Sequence, residues 1–107
     1  MKNITEQKAI KLFTDKFGTD MYTRFLKFEE EFNELKELIN LSILHGSYIV
    51  DMIPEKTLLH IRDELSDCQG TLSHLASIFE LYQSEMLDSC IDKVIQRETN
   101  PDYKRFK

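Results

Sequence analysis

Between Gly18 and Gly46 this chain contains neither glycine nor proline, and its apolar residues fall in a regular order. Met21, Phe25, Phe28, Phe32, Leu35 and Ile39 are separated by steps of 4, 3, 4, 3 and 4. A row with that spacing lies along one face of an α-helix and suits packing along a second helix. Strand side chains alternate with period two, so the same row cannot line one face of a sheet. The row predicts a helix over about 20–44, capped by Thr19 or Asp20. A phenylalanine row at this spacing reads as core, not as a ligand site.

Three further helices follow from the same reasoning. Ile10, Phe13 and Phe17 predict a first helix over about 5–17. Asn3 is placed to cap it, with Glu6 as capping-box partner and Gly18 as its C-terminal stop. Leu58, Ile61, Leu65, Cys68, Leu72, Leu75 and Phe79 predict a third helix over about 54–82, with Pro54 at its first position. Leu87, Ile91 and Val94 predict a fourth over about 84–99, with those residues inward. The connection from His45 to Ile53 carries Tyr48-Ile49-Val50, which suits a short extended segment but has no partner strand. Residues 101–107 are basic and expected to fray. With 107 residues the chain suits a single domain, and its three glycines and two prolines are too few for the turns of an all-β fold. The expectation is an all-α, four-helix bundle-like domain whose central helices are antiparallel.

Acidic residues outnumber basic ones by 19 to 14, giving a formal net charge of −5. Proteins that grip nucleic-acid polymers through a basic face carry the opposite balance. Cys68 and Cys90 have no zinc-site or disulfide-scaffold spacing and read as reduced thiols of a cytoplasmic protein. The amino-terminal residues show no apolar leader, and no apolar run is long enough to span a membrane.

Two carboxylate pairs stand out: Glu31 with Glu34, and Glu64 with Asp67. Residues three apart are neighbours on a helix surface, so each pair can act as a two-toothed oxygen ligand, although such pairs are also common on solvated faces. With each apolar seam as zero, the first member of each pair lies roughly 80° and the second roughly 140° to the same side. If the two long helices pack seam to seam and antiparallel, both pairs come to one side of the contact. Glu34 lies level with Glu64, and Glu31 with Asp67. Four carboxylates then converge in one groove, where their repulsion calls for a cation. All-oxygen ligands favour Mg²⁺, with Mn²⁺ or Ca²⁺ possible. The alternative is an open groove neutralised by Lys27 or Arg62.

Glu30-Glu31-Phe32-Asn33-Glu34 resembles the EExxE motif of the MazG-like, all-α nucleoside triphosphate pyrophosphohydrolases. Glu64-Leu65-Ser66-Asp67 resembles their downstream ExxD motif. The resemblance covers about residues 20–100 and implies Mg²⁺-dependent cleavage of the α–β phosphoanhydride of (d)NTPs, giving a nucleoside monophosphate and pyrophosphate. It implies Glu31, Glu34, Glu64 and Asp67 as metal ligands. Glu30 would bind a further metal or activate the attacking water. Lys93 and Arg97, four apart on the last helix, would contact phosphate, with Lys104 and Arg105 as weaker candidates. A homodimer, or a tetramer of two dimers, is also implied. After Asp67 the chain departs from the commonest family pattern, reading Cys68-Gln69-Gly70-Thr71, and smaller polar residues there would reshape the pocket. His74 is a candidate nucleotide contact or a packing residue, and Cys68 a small buried hydrophobe. Two other readings stand beside this one. The first is a relative acting on phosphoribosyl-ATP, dUTP or dCTP. The second is a non-catalytic helical interaction module.

Overall fold

The computed structural model describes residues 3–44, 46 and 50–100. Asn3 starts helix α1 (Ile4–Phe17), its side chain accepting from the N–H groups of Thr5 and Glu6 at 2.8 and 3.3 Å. Gly18 closes it with φ of 97°, a left-handed conformation that glycine adopts without steric cost. Asp20 caps α2 (Met21–Leu44), accepting from Thr23 N–H at 2.9 Å. Val50–Met52 forms a 3₁₀ turn rather than an extended segment; Tyr48 and Ile49 lie outside the described residues, as do residues 101–107. α3 spans Glu55–Ser77, with Pro54 just before it, and α4 spans Gln83–Thr99. Among the described residues there are four helices and no strand.

α3 stops at Ser77, short of the expected Tyr82. Glu80 N–H bonds Ser77 O, Leu81 N–H bonds Ala76 O, and Glu80 holds φ of 58°. This is a Schellman end with glutamate where glycine is usual. No glycine marked it, so the seam residues Leu75 and Phe79 suggested a longer helix.

α2 and α3 form the principal contact, α1 packs chiefly on α3, and the pairing is antiparallel. Arg24 near the start of α2 meets His74 and Ser77 near the end of α3, while Leu38 and Leu41 share a groove with His60 near its start. The seam itself is turned from the one predicted. The buried residues of α2 are Arg24, Glu31 and Ser42, whereas Met21, Phe25 and Phe32 are about half-exposed. On α3 Ile61 of the predicted row is buried, as are Thr71, Ser73, His74 and Ala76, while Leu65 and Phe79 are exposed. At 100° per residue the buried row of α2 lies about 60° from the predicted one, towards Glu31 and Glu34. Arg24 helps fix that rotation. Its Nη1 donates to His74 O and Ser77 Oγ, both at 2.7 Å, and a cation at the C-terminal end of α3 complements the helix dipole.

α1 is held to α3 by close approach. A β-carbon at Gly70 would lie 2.4 Å from Phe13 Cε2, so only glycine lets the two helices meet at this distance. The Phe13 ring also lies 5.9 Å from the His74 ring. Glu6 is buried and does not act as expected of a capping-box residue: its carboxylate accepts from Ser73 Oγ at 2.7 Å and from Gln83 N–H at 2.9 Å. It therefore ties α1 to α3 and places a negative charge at the N-terminus of α4. Beyond that anchor α4 has no extended contact with the other helices. Leu87, Ile91 and Val94, expected to face inward, are about half-exposed. The bundle thus comprises three helices, with α4 set apart.

Candidate functional site

The rotation of the α2 seam brings Glu31 into the contact between α2 and α3. Glu31 is buried, Glu64 is partly buried, and Asp67 is exposed. One carboxylate oxygen from each can lie within 4.8 Å of the others. Glu30, Glu31 and Glu34 form a second group within the same distance, so Glu31 belongs to both. Glu34 and Glu64 also line one groove of about 380 Å³, together with Glu37, Leu38, Leu41 and His60. Glu30 reaches this cluster from the exposed side of α2, through the group it forms with Glu31 and Glu34.

Two atoms in the cluster are conspicuous. Oε2 of Glu31 and Oε2 of Glu64 are buried and have no hydrogen-bond partner. Their other oxygens are engaged: Glu31 Oε1 lies 3.2 Å from Lys27 Nζ, and Glu64 Oε1 lies 3.5 Å from His60 Nε2. Burying a carboxylate oxygen without a partner is costly, because water no longer solvates it. Lys27 also lies 3.6 Å from Glu30 Oε1 and 4.7 Å from the centre of the Phe17 ring. Partial burial pushes the Lys27 pKa down, but its bond to Glu31 and the charges of Glu30 and Glu31 outweigh this, and the net shift is up. Of the two cations expected to neutralise the groove, Lys27 does so in part, while Arg62 is exposed.

The neighbouring groups register the crowded charge. Partial burial, then Glu31 and Asp63, raise the Asp67 pKa against the opposing pull of Lys27. Burial raises the Cys68 thiol pKa, and Glu31, Glu64, Asp67 and Glu34 all push it further in the same direction. Cys68 is half-buried within the carboxylate ring and is not a fully enclosed core residue.

Beyond Cys68, the departure after Asp67 has a structural role elsewhere. Gln69 and Gly70 line a cleft between α1 and α3, with Asn3, Glu6 and Ser73, and not the carboxylate groove. His74 is wholly buried, its Nε2 3.2 Å from Gly18 O, and so is a packing residue. Lys93 and Arg97 lie on α4, Lys93 exposed and Arg97 half-buried, and neither belongs to the carboxylate groups. Lys104 and Arg105 lie outside the described residues.

Sequence reasoning missed His60 and Arg24 and gave Glu6 only a capping role. His60 had a signal, being four residues before Glu64 on one helix. Glu6 and Arg24 had none, since their partners lie 77 and 50 residues away.

Fold and cluster together define an all-α protein with a carboxylate-rich groove between two antiparallel helices. Among the described residues no helix is long and apolar enough to cross a membrane. Comparison with protein-family models, curated proteins and solved structures gives no match.

Proposed function

We propose that this chain is a Mg²⁺-dependent nucleoside triphosphate pyrophosphohydrolase, cleaving the α–β phosphoanhydride of (d)NTPs to monophosphate and pyrophosphate. The observation that carries the reading is the pair of buried, unpartnered oxygens, Oε2 of Glu31 and Oε2 of Glu64, inside a ring of carboxylates. A divalent cation would satisfy both. The donor set fits a hard ion, being all oxygen and drawn from Glu31, Glu34, Glu64 and Asp67. When bound, Mg²⁺, or Mn²⁺ in its place, offsets the charge of a triphosphate and makes a water more acidic.

The remaining chemistry falls to the protein's own residues. Glu31 and Glu64, from facing helices, fix the spacing of the groove. Glu30 is more exposed, and its carboxylate accepts the proton of the attacking water as general base. Leu38 and Leu41 give the groove an apolar wall beside the carboxylates. Lys93 and Arg97 take phosphate oxygens. That last assignment rests on the motif resemblance alone.

Lys27 favours a second reading. By pairing with Glu31 and Glu30 it removes part of the repulsion, as a purely structural acidic groove requires. Pyrophosphate release separates the two. Wild-type protein with Mg²⁺ is expected to release pyrophosphate from at least one member of a panel containing the common (d)NTPs, dUTP, dCTP and phosphoribosyl-ATP. Glu34→Gln and Asp67→Asn should each lower turnover by at least about 100-fold, as loss of a metal-site group does. A folded wild-type protein inactive on the whole panel would favour the non-catalytic groove, and full activity in both variants would remove the metal assignment.

A further inference from the structure

The groove that holds Glu34 and Glu64 does not end at those carboxylates. The rest of its lining is Glu37, Leu38 and Leu41 of α2 with His60 of α3, in a volume of about 380 Å³. On antiparallel helices, a residue four places after Glu34 lies level with one four places before Glu64. Leu38 therefore stands opposite His60. At 1.5 Å per residue this pair sits ~6 Å along the groove from the carboxylates, and Leu41 extends the apolar wall by ~4.5 Å more. In the other direction, one turn before Glu31, Lys27 lies 4.7 Å from the centre of the Phe17 ring of α1. The groove thus leads from a charged end to an end walled by two leucines and an imidazole.

That end suits a flat aromatic ring, since a nucleobase stacks on histidine as it does on larger aromatic side chains. Glu37 sits beside it on the exposed surface of α2. Among the described residues no hydrogen bond or ion pair engages its carboxylate. An ionised carboxylate accepts only, and its two parallel oxygens bind best to two donors side by side. Among the standard bases guanine alone presents such a pair, its ring N1–H and its exocyclic amine. Adenine and cytosine offer one donor next to an acceptor. Uracil and thymine set one N–H between two carbonyl oxygens, which face the carboxylate as like to like.

We infer that this end of the groove is a nucleobase seat that selects guanine, with Glu37 as the specificity-determining residue. The inference rests on the triphosphate reading of the neighbouring carboxylates and deepens it by naming the base. Leu38, Leu41 and His60 hold the ring, and Glu37 reads its edge.

Two measurements test it. With Mg²⁺, kcat/KM for dGTP should exceed that for dUTP by at least about tenfold. Glu37→Gln keeps one accepting oxygen but turns an amine towards the second donor. It should bring the ratio close to unity by raising KM for dGTP, with kcat and the dUTP constants near wild type. A purely structural role would move both substrates together. The second measurement needs neither turnover nor metal. In proton NMR, uncharged deoxyguanosine should shift the ring resonances of His60, and deoxyuridine at the same concentration should shift them much less. The ring of His74, which is wholly buried, should stay in place. That response from a protein inactive on every nucleotide would refute the catalytic reading and support the guanine seat. Equal kcat/KM for the two substrates in an active wild type, a preference that survives Glu37→Gln, or a His60 ring unmoved by deoxyguanosine would each overturn the inference.

Discussion

Glu31 is pulled in two directions. It is buried between two helices, with Oε1 3.2 Å from Lys27 Nζ and Oε2 without a hydrogen-bond partner. Asp67 carries the strain more visibly, because its carboxyl pKa is raised by partial burial and by Glu31. A raised carboxyl pKa means the folded state holds its proton more tightly than the unfolded chain. The resulting stability is fully present below the ordinary value of 3.8 and is lost as pH rises through the raised one. At neutral pH the charged form is a burden, so Asp67→Asn should raise Tm in EDTA while turnover collapses. Melting curves across pH check this, and the gain should vanish below pH 3.8. His74 behaves in the opposite sense. Burial, then Arg24, lower its pKa from 6.5, outweighing the Gly18 carbonyl. The folded state then binds fewer protons than the unfolded chain, so stability present above pH 6.5 declines as pH falls through the lowered value. Tm should drop on acidification below pH 6.5, and His74→Gln should flatten that drop.

At the scale of elements, local signals were readable where a single residue type decides the outcome. Asn3, Gly18 and Asp20 mark helix ends by side-chain chemistry or backbone freedom, and each does so in the structure. The end of α3 was not readable because Glu80 occupies a left-handed position without being glycine. Carboxylate convergence between the two central helices was legible from spacing and antiparallel register. The rotation of the α2 seam was not. An apolar stripe fixes which residues seek cover, but not whether this chain supplies that cover. Long-range contacts such as Arg24 to the end of α3 decided it. Gly70 shows the same limit: in the sequence it is one of the small residues after Asp67, and only the Phe13 ring explains it. Gly70→Ala should push α1 away from α3 and cost about 1–3 kcal/mol, as overpacking does. Urea denaturation measures this, and an unchanged midpoint would contradict the close approach.

At the scale of the molecule, two features remain to be reconciled: an acidic excess and an apolar surplus. The excess is partly concentrated in the cluster between α2 and α3, and part of the surplus lines a groove formed by Met21, Tyr22, Phe25, Leu75 and Phe79. A radius of gyration of 16.6 Å exceeds the ~13 Å of a compact chain of this length, in keeping with α4 set apart from the bundle. Net charge alone argues against an anionic ligand, yet a cation held by the carboxylates would turn the same groove into a seat for a triphosphate. The central claim is the position of the bond that breaks. Phosphorus-31 NMR of a nucleoside triphosphate incubated with the protein and Mg²⁺ reads it directly. The account predicts resonances of pyrophosphate and nucleoside monophosphate growing together, and none when Glu34→Gln replaces wild type. Orthophosphate with nucleoside diphosphate, or no reaction from folded protein with any nucleotide offered, would contradict it.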